Sequence, residues 1–340
     1  MIFLQILTLF SLLNAKLINE RVEQPLRPLD YKTEDIEYIH YSSEIKSEEA
    51  AKLVDGNIVY KTIYHHNEYG FRIYPSLIPS TKSPEQHLFL AGCSFTYGEG
   101  LLDNQTFGYL LSKKLQDTNV QNISQRGASA DELIFLFEHI DFGNLSKQKE
   151  GTLLFSMITD HLNRSNNEWE HLVWVDINKP KYIFEDGKWR INGKIGDSLK
   201  YKWVKYLSKL GLLDSWISLQ SHFRINKERS LIDIYVNKLS YAKSLYLKQF
   251  PKGKFIVVDH PLFNEYGKPS VKKYLLETLK KFKIDTWSIS YEEEIKQNIL
   301  KGRPYDVDLF NIKYDGHPNE ASNKYYANYI LKKLDELKKD

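Results

Sequence analysis

Apolar and polar positions change rhythm several times along the 340 residues, and those changes mark out elements. From Gln86 onward, short apolar runs alternate with helical patterns. Leu88–Ala91 has no polar interruption, as expected of a strand buried on both faces. A helix is predicted around 104–116, a strand at 119–123, a helix from Ser129 or Ala130 to about His139, and a strand over 152–158. Further on come a long helix near Glu228–Lys248, a strand at Lys254–Asp259, a helix around 268–282 and a short strand near 284–287. An amphipathic helix over Glu320–Leu337 closes the series. Strands alternating with helices predict an α/β domain on a parallel sheet.

Two stretches depart from this rhythm. Residues 16 to about 50 are polar, carry Pro25 and Pro28, and read as a linker or loosely packed extension. After them, Asp55-Gly56 is a turn signal, Asn57–Tyr64 is β-rich, and Asn67–Arg72 is a second turn and strand. His65-His66 reads as a solvated loop pair rather than as metal ligands. The second departure is an insertion at about 162–230. Within it, Lys181–Ile191 has a hairpin pattern centred on Asp186-Gly187, and Trp169, Trp174, Trp189, Trp203 and Trp216 crowd the region. An insertion after a strand's carboxyl end is expected over the active-site face as a lid; the alternative is that it packs elsewhere and stabilises the domain. The expected division is an apolar segment at 1–15, an extension with a small β element at 16–85, and a catalytic domain at 86–340.

The chemistry concentrates at two places far apart in sequence. In Gly92-Cys93-Ser94-Phe95-Thr96-Tyr97-Gly98 a serine follows the strand in a glycine-flanked turn. Small residues there let the backbone turn sharply, and the start of a helix offers unpaired N–H groups to a developing negative charge. In Tyr314-Asp315-Gly316-His317-Pro318-Asn319 a carboxylate and an imidazole stand just before the last helix. A serine needs a base at neutral pH, and the base needs a partner that fixes its tautomer. Ser94, His317 and Asp315 supply those three roles, in the chain order Ser, Asp, His.

With these motifs the sequence resembles the SGNH/GDSL hydrolase family. Gly92–Gly98 resembles the block that carries the nucleophile, Asn122-Ile123-Ser124-Gln125-Arg126-Gly127 the second block, and Asp315-Gly316-His317-Pro318 the last. The resemblance runs from about Gln86 to the C-terminus, interrupted by the insertion. It implies a three-layer α/β/α, doubly wound, flavodoxin-like fold and acyl transfer through a serine, with oxyanion donors at the Ser94 and Gly127 N–H groups. The third block falls at Leu153–His161, where the family's usual asparagine is missing and Asp160-His161 stands. An ionised aspartate cannot donate, so the third donor role passes to His161. The Asp–His separation is two rather than the commoner three, which leaves Asp306 and Asp308 open as alternative orienting carboxylates. The implied substrate is an O-acetyl or other short acyl ester on a carbohydrate or glycolipid. Transfer to a sugar hydroxyl, or carbohydrate binding without catalysis, are the other readings of the same fold.

Composition adds limits. With 47 basic against 44 acidic residues the formal charge is +3, which makes no case for nucleic acid as a partner. Cys93 is the single cysteine, read as a small buried apolar residue, and no His/Cys spacing suggests zinc. No dinucleotide or phosphate-loop glycine pattern appears, so no cofactor is expected. Arg164 reads as one half of a structural ion pair, with an anionic substrate group as the alternative. Met1–Ala15 is apolar, shorter than the roughly 18 residues a membrane span needs, and suits a signal-peptide core. No Lys or Arg precedes that run, so a secreted or periplasmic location and a retained N-terminal helix on a cytoplasmic protein both stay open.

Overall fold

The computed structural model describes residues 46–54, 57–77, 83–172, 175–222, 227–260, 269–288 and 309–339. In chain order the strands are β1 (Lys46–Val54), β2 (Asn57–His66), β3 (Arg72–Ile73), β4 (Gln86–Ala91), β5 (Thr118–Asn122) and β6 (Gly151–Met157). They continue with β7 (Pro180–Glu185), β8 (Lys188–Lys194), β9 (Lys254–Asp259) and β10 (Asp285–Ser288). The helices are α1 (Ser94–Tyr97), α2 (Phe107–Lys114), α3 (Ala130–His139), α4 (Phe142–Ser146), α5 (Asp160–Ser165) and α6 (Trp169–Leu172). After them come α7 (Leu199–Lys209), α8 (Leu213–His222), α9 (Lys227–Gln249), α10 (Pro269–Lys281) and α11 (Glu320–Leu337).

One eight-stranded sheet runs in the order β1-β2-β3-β5-β4-β6-β9-β10. Its five strands from β5 to β10 are parallel and follow the doubly wound order 2-1-3-4-5. Alternation in β4 explains the two layers. Phe89 and Ala91 enter a core with Phe155, Met157 and Val257 under α3, α9 and α10, whereas Leu88 and Leu90 join Leu154, Ile256 and Val258 under α2 and α11. Burial on both faces is why these strands read as unbroken apolar runs.

The N-terminal β element is part of this sheet. β1 and β2 form an antiparallel hairpin, and β3 links it to β5 through Arg72 and Asn122. Among the described residues the first strand starts at Lys46, inside the stretch expected to be a linker; residues 16–45 and the turn at Asp55-Gly56 lie outside the described residues. His65 and His66 belong to β2 rather than to a loop: His66 Nε2 meets the Tyr97 hydroxyl at 2.8 Å and His65 Nδ1 meets Asp103 at 2.7 Å.

The insertion's hairpin forms as expected, with Asp186 and Gly187 both at positive φ, as a two-residue turn of this kind requires. Tyr182 and Trp189 sink into the main core, the Tyr182 hydroxyl donates to Glu138 of α3 at 2.8 Å, and Trp189 Nε1 donates to Asn237 of α9 at 2.8 Å. The hairpin thus rests on the α3–α9 helical layer. The rest of the insertion has its own small core of Leu172, Val175, Ile195, Val204 and Leu213.

Candidate active site

Ser94 opens α1, three residues past the end of β4, where the strand order of the parallel sheet reverses. In open α/β sheets the crevice at this switch point receives ligands. Gly92 makes the sharp turn possible: at φ 149° a Cβ would sit 2.3 Å from Thr96 Oγ1 and 3.0 Å from the Ser156 carbonyl oxygen. Ser94 is 5% exposed. Its neighbour Cys93 points into the core, where burial pushes the thiol above its ordinary value and keeps it protonated.

The loop before α11 brings in His317. His317 Nε2 lies 2.9 Å from Ser94 Oγ, although 223 positions separate the two residues. Asp315 bonds to His317 Nδ1 and also accepts from the His317 backbone N–H at 3.2 Å. The short Asp–x–His spacing works because Tyr314 (φ 63°) and Gly316 (φ 86°) both adopt the left-handed region and curl the segment. The Ile312 N–H donating to the His317 carbonyl (2.7 Å) and a bridge from Asn311 to Pro318 lock the curl. Asn319 then caps α11 by accepting from the Ser322 N–H. With Nδ1–H donated to Asp315, Nε2 is left as an acceptor for the serine hydroxyl. Asp306 and Asp308 lie outside the described residues.

Two charged groups flank this relay, and neither was expected. Lys52 of β1 donates to Asp315 Oδ2 at 2.5 Å. Glu99, almost fully buried just after α1, places Oε2 3.6 Å from His317 Nε2, and the Tyr60 hydroxyl of β2 stands 3.5 Å from its other oxygen. Burial alone would raise the Asp315 carboxyl, but the bonds from His317 and Lys52 hold it well below the usual carboxylate range. For His317, burial works against the charged form, yet Glu99 and then Asp315 outweigh it and raise the imidazole above its usual 6.5.

The Gly127 loop is stitched to the serine turn by the Gln125 N–H, which donates to the Gly92 carbonyl at 3.2 Å. The N–H groups of Ser94 and Gly127 have no acceptor among the described residues. Lys179, from the insertion, holds the Gly127 carbonyl at 2.9 Å and pairs with Glu132, which closes a capping box with Ser129 at the start of α3.

His161 makes no hydrogen bond to this cluster. Its ring is wholly buried against Phe155 and Tyr235, on the core side of the sheet that also takes Cys93, and neither nitrogen finds a partner among the described residues. Burial, with the nearby Arg164 guanidinium, keeps the ring neutral. Neither ring nitrogen bonds Ser94, His317 or Asp315, and the expected role of His161 as an oxyanion donor is a matter for the kinetics of a His161→Asn variant. Arg164 pairs with Asp160 at 2.7 Å and donates to the Ala128 carbonyl at 3.2 Å, so it is an internal strut.

No protein-family profile matches the chain, and no curated protein matches it in sequence. Solved structures similar to it include carbohydrate esterases and lipases. A family two carbohydrate esterase from Cellvibrio japonicus is 14% identical with a TM-score of 0.41, covering 81% of this chain and 70% of that one. A family 3 carbohydrate esterase from Clostridium thermocellum is 12% identical with a TM-score of 0.39, covering 74% and 97%. An extracellular lipase from Streptomyces rimosus is 9% identical with a TM-score of 0.39, covering 70% and 94%.

Proposed function

We propose that the chain is a serine ester hydrolase that removes a short acyl group, such as O-acetyl, from a carbohydrate or glycolipid. The observation that carries this reading is the continuous relay from Ser94 Oγ through His317 to Asp315 at the sheet's switch point. His317 takes the serine proton as Oγ attacks the ester carbonyl, and Asp315 stabilises the imidazolium that forms. The carbonyl oxygen becomes an oxyanion held by the Ser94 and Gly127 N–H groups. Donors of this kind each lower a barrier by about 2.7–4 kcal/mol. Collapse expels the alcohol with the proton from His317, and the acyl-enzyme is cleared when His317 activates water. The low exposure of Ser94 favours a small acyl group.

The test is hydrolysis of a p-nitrophenyl acetate series, together with stoichiometric labelling by a fluorophosphonate. Ser94→Ala is expected to lose at least a thousandfold in kcat and to resist labelling, while Cys93→Ala stays active. Turnover unchanged in Ser94→Ala, or label found at another residue, would overturn the assignment. A sugar hydroxyl added as competing acceptor separates hydrolysis from transfer.

A further inference from the structure

We propose that α7 is a membrane-surface element that docks the insertion onto anionic lipid headgroups. Its core requirement is already met: Val204 is fully buried with Leu172, Val175, Ile195 and Leu213, and Tyr201 and Leu207 pack partly against them. A second apolar stripe faces outward. Leu199, Trp203, Tyr206 and Leu210 are each at least 50% exposed. Their spacing of i, i+4, i+7 and i+11 keeps them within about 60° of arc at about 100° per residue. Trp203 and Tyr206 stand edge to face, 5.8 Å between ring centroids, which presents one aromatic ridge.

The charge around this ridge selects the partner. From Leu199 to Lys209 the helix holds Lys200, Lys202, Lys205 and Lys209 and no acidic residue. Lys200 faces Glu168 at 3.6 Å and Lys205 lies over the Tyr201 ring, but Lys202 and Lys209 meet no acidic side chain among the described residues. Exposed aromatic and leucine side chains flanked by lysines match the layered chemistry of a bilayer surface. Amphipathic rings sit at headgroup level and ammonium groups lie among the phosphates. An acidic polysaccharide would use the lysines and one ring but leave Leu199 and Leu210 in water. No helix among the described residues is long and apolar enough to cross a membrane.

This surface is independent of the ester chemistry, and its test does not need an active enzyme. The full chain is mixed with vesicles of phosphatidylcholine alone or with 30% phosphatidylglycerol, with cosedimentation and tryptophan quenching by brominated lipid as readouts. Expected results are binding to the anionic vesicles that weakens as salt rises, at least tenfold weaker binding for the Lys202→Glu/Lys209→Glu variant, and a quenched component that disappears in Trp203→Phe. The Trp203→Phe readout is local, so binding by the apolar N-terminal segment cannot imitate it, and unchanged circular dichroism confirms that both variants fold. The proposal fails if quenching survives Trp203→Phe, or if soluble acidic polysaccharide binds while vesicles do not. It also fails if light scattering shows a dimer that these substitutions dissolve without any vesicle binding.

Discussion

Arg72 offers the sharpest energetic test of how the N-terminal hairpin is joined to the serine turn. Its guanidinium is fully buried and donates to the carbonyls of Tyr97 (2.9 Å), Gly98 (2.7 Å) and Leu101 (2.8 Å), and to Asp103 at 2.9 and 3.2 Å. The rings of Tyr64 and Tyr97 cover it at 4.8 and 5.2 Å. Arg72→Met keeps much of the stem but strands three carbonyls and leaves Asp103 with His65 alone. Hydrogen bonds to a charged group contribute about 1.5–3 kcal/mol each and do not add fully. Breaking one partner of a buried ion pair costs about 3–5 kcal/mol, and that is the expected loss here. With a urea m-value of about 3 kcal/mol/M, the unfolding midpoint falls by about 1–1.7 M. Arg72→Lys keeps the charge but not the planar fork, so its loss falls between. As a control, Arg190→Met breaks an exposed pair with Asp186 (3.8 Å) and should leave the midpoint within the scatter of surface substitutions. An Arg72→Met protein within about 1 kcal/mol of the wild type would refute the clasp, because burial that complete leaves no cheaper escape.

The two charges beside His317 should move the acid limb of the pH–rate profile in opposite directions. Glu99→Gln removes an anion that favours imidazolium, so the imidazole pKa falls and the limb shifts to lower pH; Lys52→Met removes a cation that disfavours it, so the limb shifts up. Titrating His317 by NMR checks the same signs without turnover, and shifts of the same sign in both variants would contradict the geometry. His161→Asn should lower the melting temperature while leaving kcat within about threefold, because the ring is wholly buried against Phe155 and Tyr235. A hundredfold loss of kcat at unchanged melting temperature would return His161 to the oxyanion site.

What the sequence disclosed and what it hid follow from the range of the forces involved. The parallel strands were legible because burial on both faces forces an unbroken apolar run, and the last helix matches its predicted bounds because Asn319 caps it locally. The hairpin of β7 and β8 was equally local, since Asp186-Gly187 suits positive φ at both turn positions. β1 was not legible. Its sequence, Lys-Ser-Glu-Glu-Ala-Ala-Lys-Leu-Val, is charged as sheet-edge strands often are, and only pairing with β2 makes it a strand. The same distance hid Lys52, which meets Asp315 across 263 positions, and Glu99, whose role appears only once the last loop folds over it. The pairing of Ser94 with His317 is just as remote, and it was found because the chemistry of each motif demands the other.

That separation also has a consequence in time. Ser94 leaves the ribosome 223 residues before His317 does. At about 5–20 residues per second, synthesis of the intervening chain takes about 11–45 s. Through that interval the serine lacks its His317 partner, whatever part of the sheet has already formed around it. On the proposed mechanism the hydroxyl is therefore inert during synthesis, and it would become nucleophilic only when the last helix docks. On the same mechanism a chain clipped before His317 would carry the serine without the base that the proposed ester hydrolysis requires.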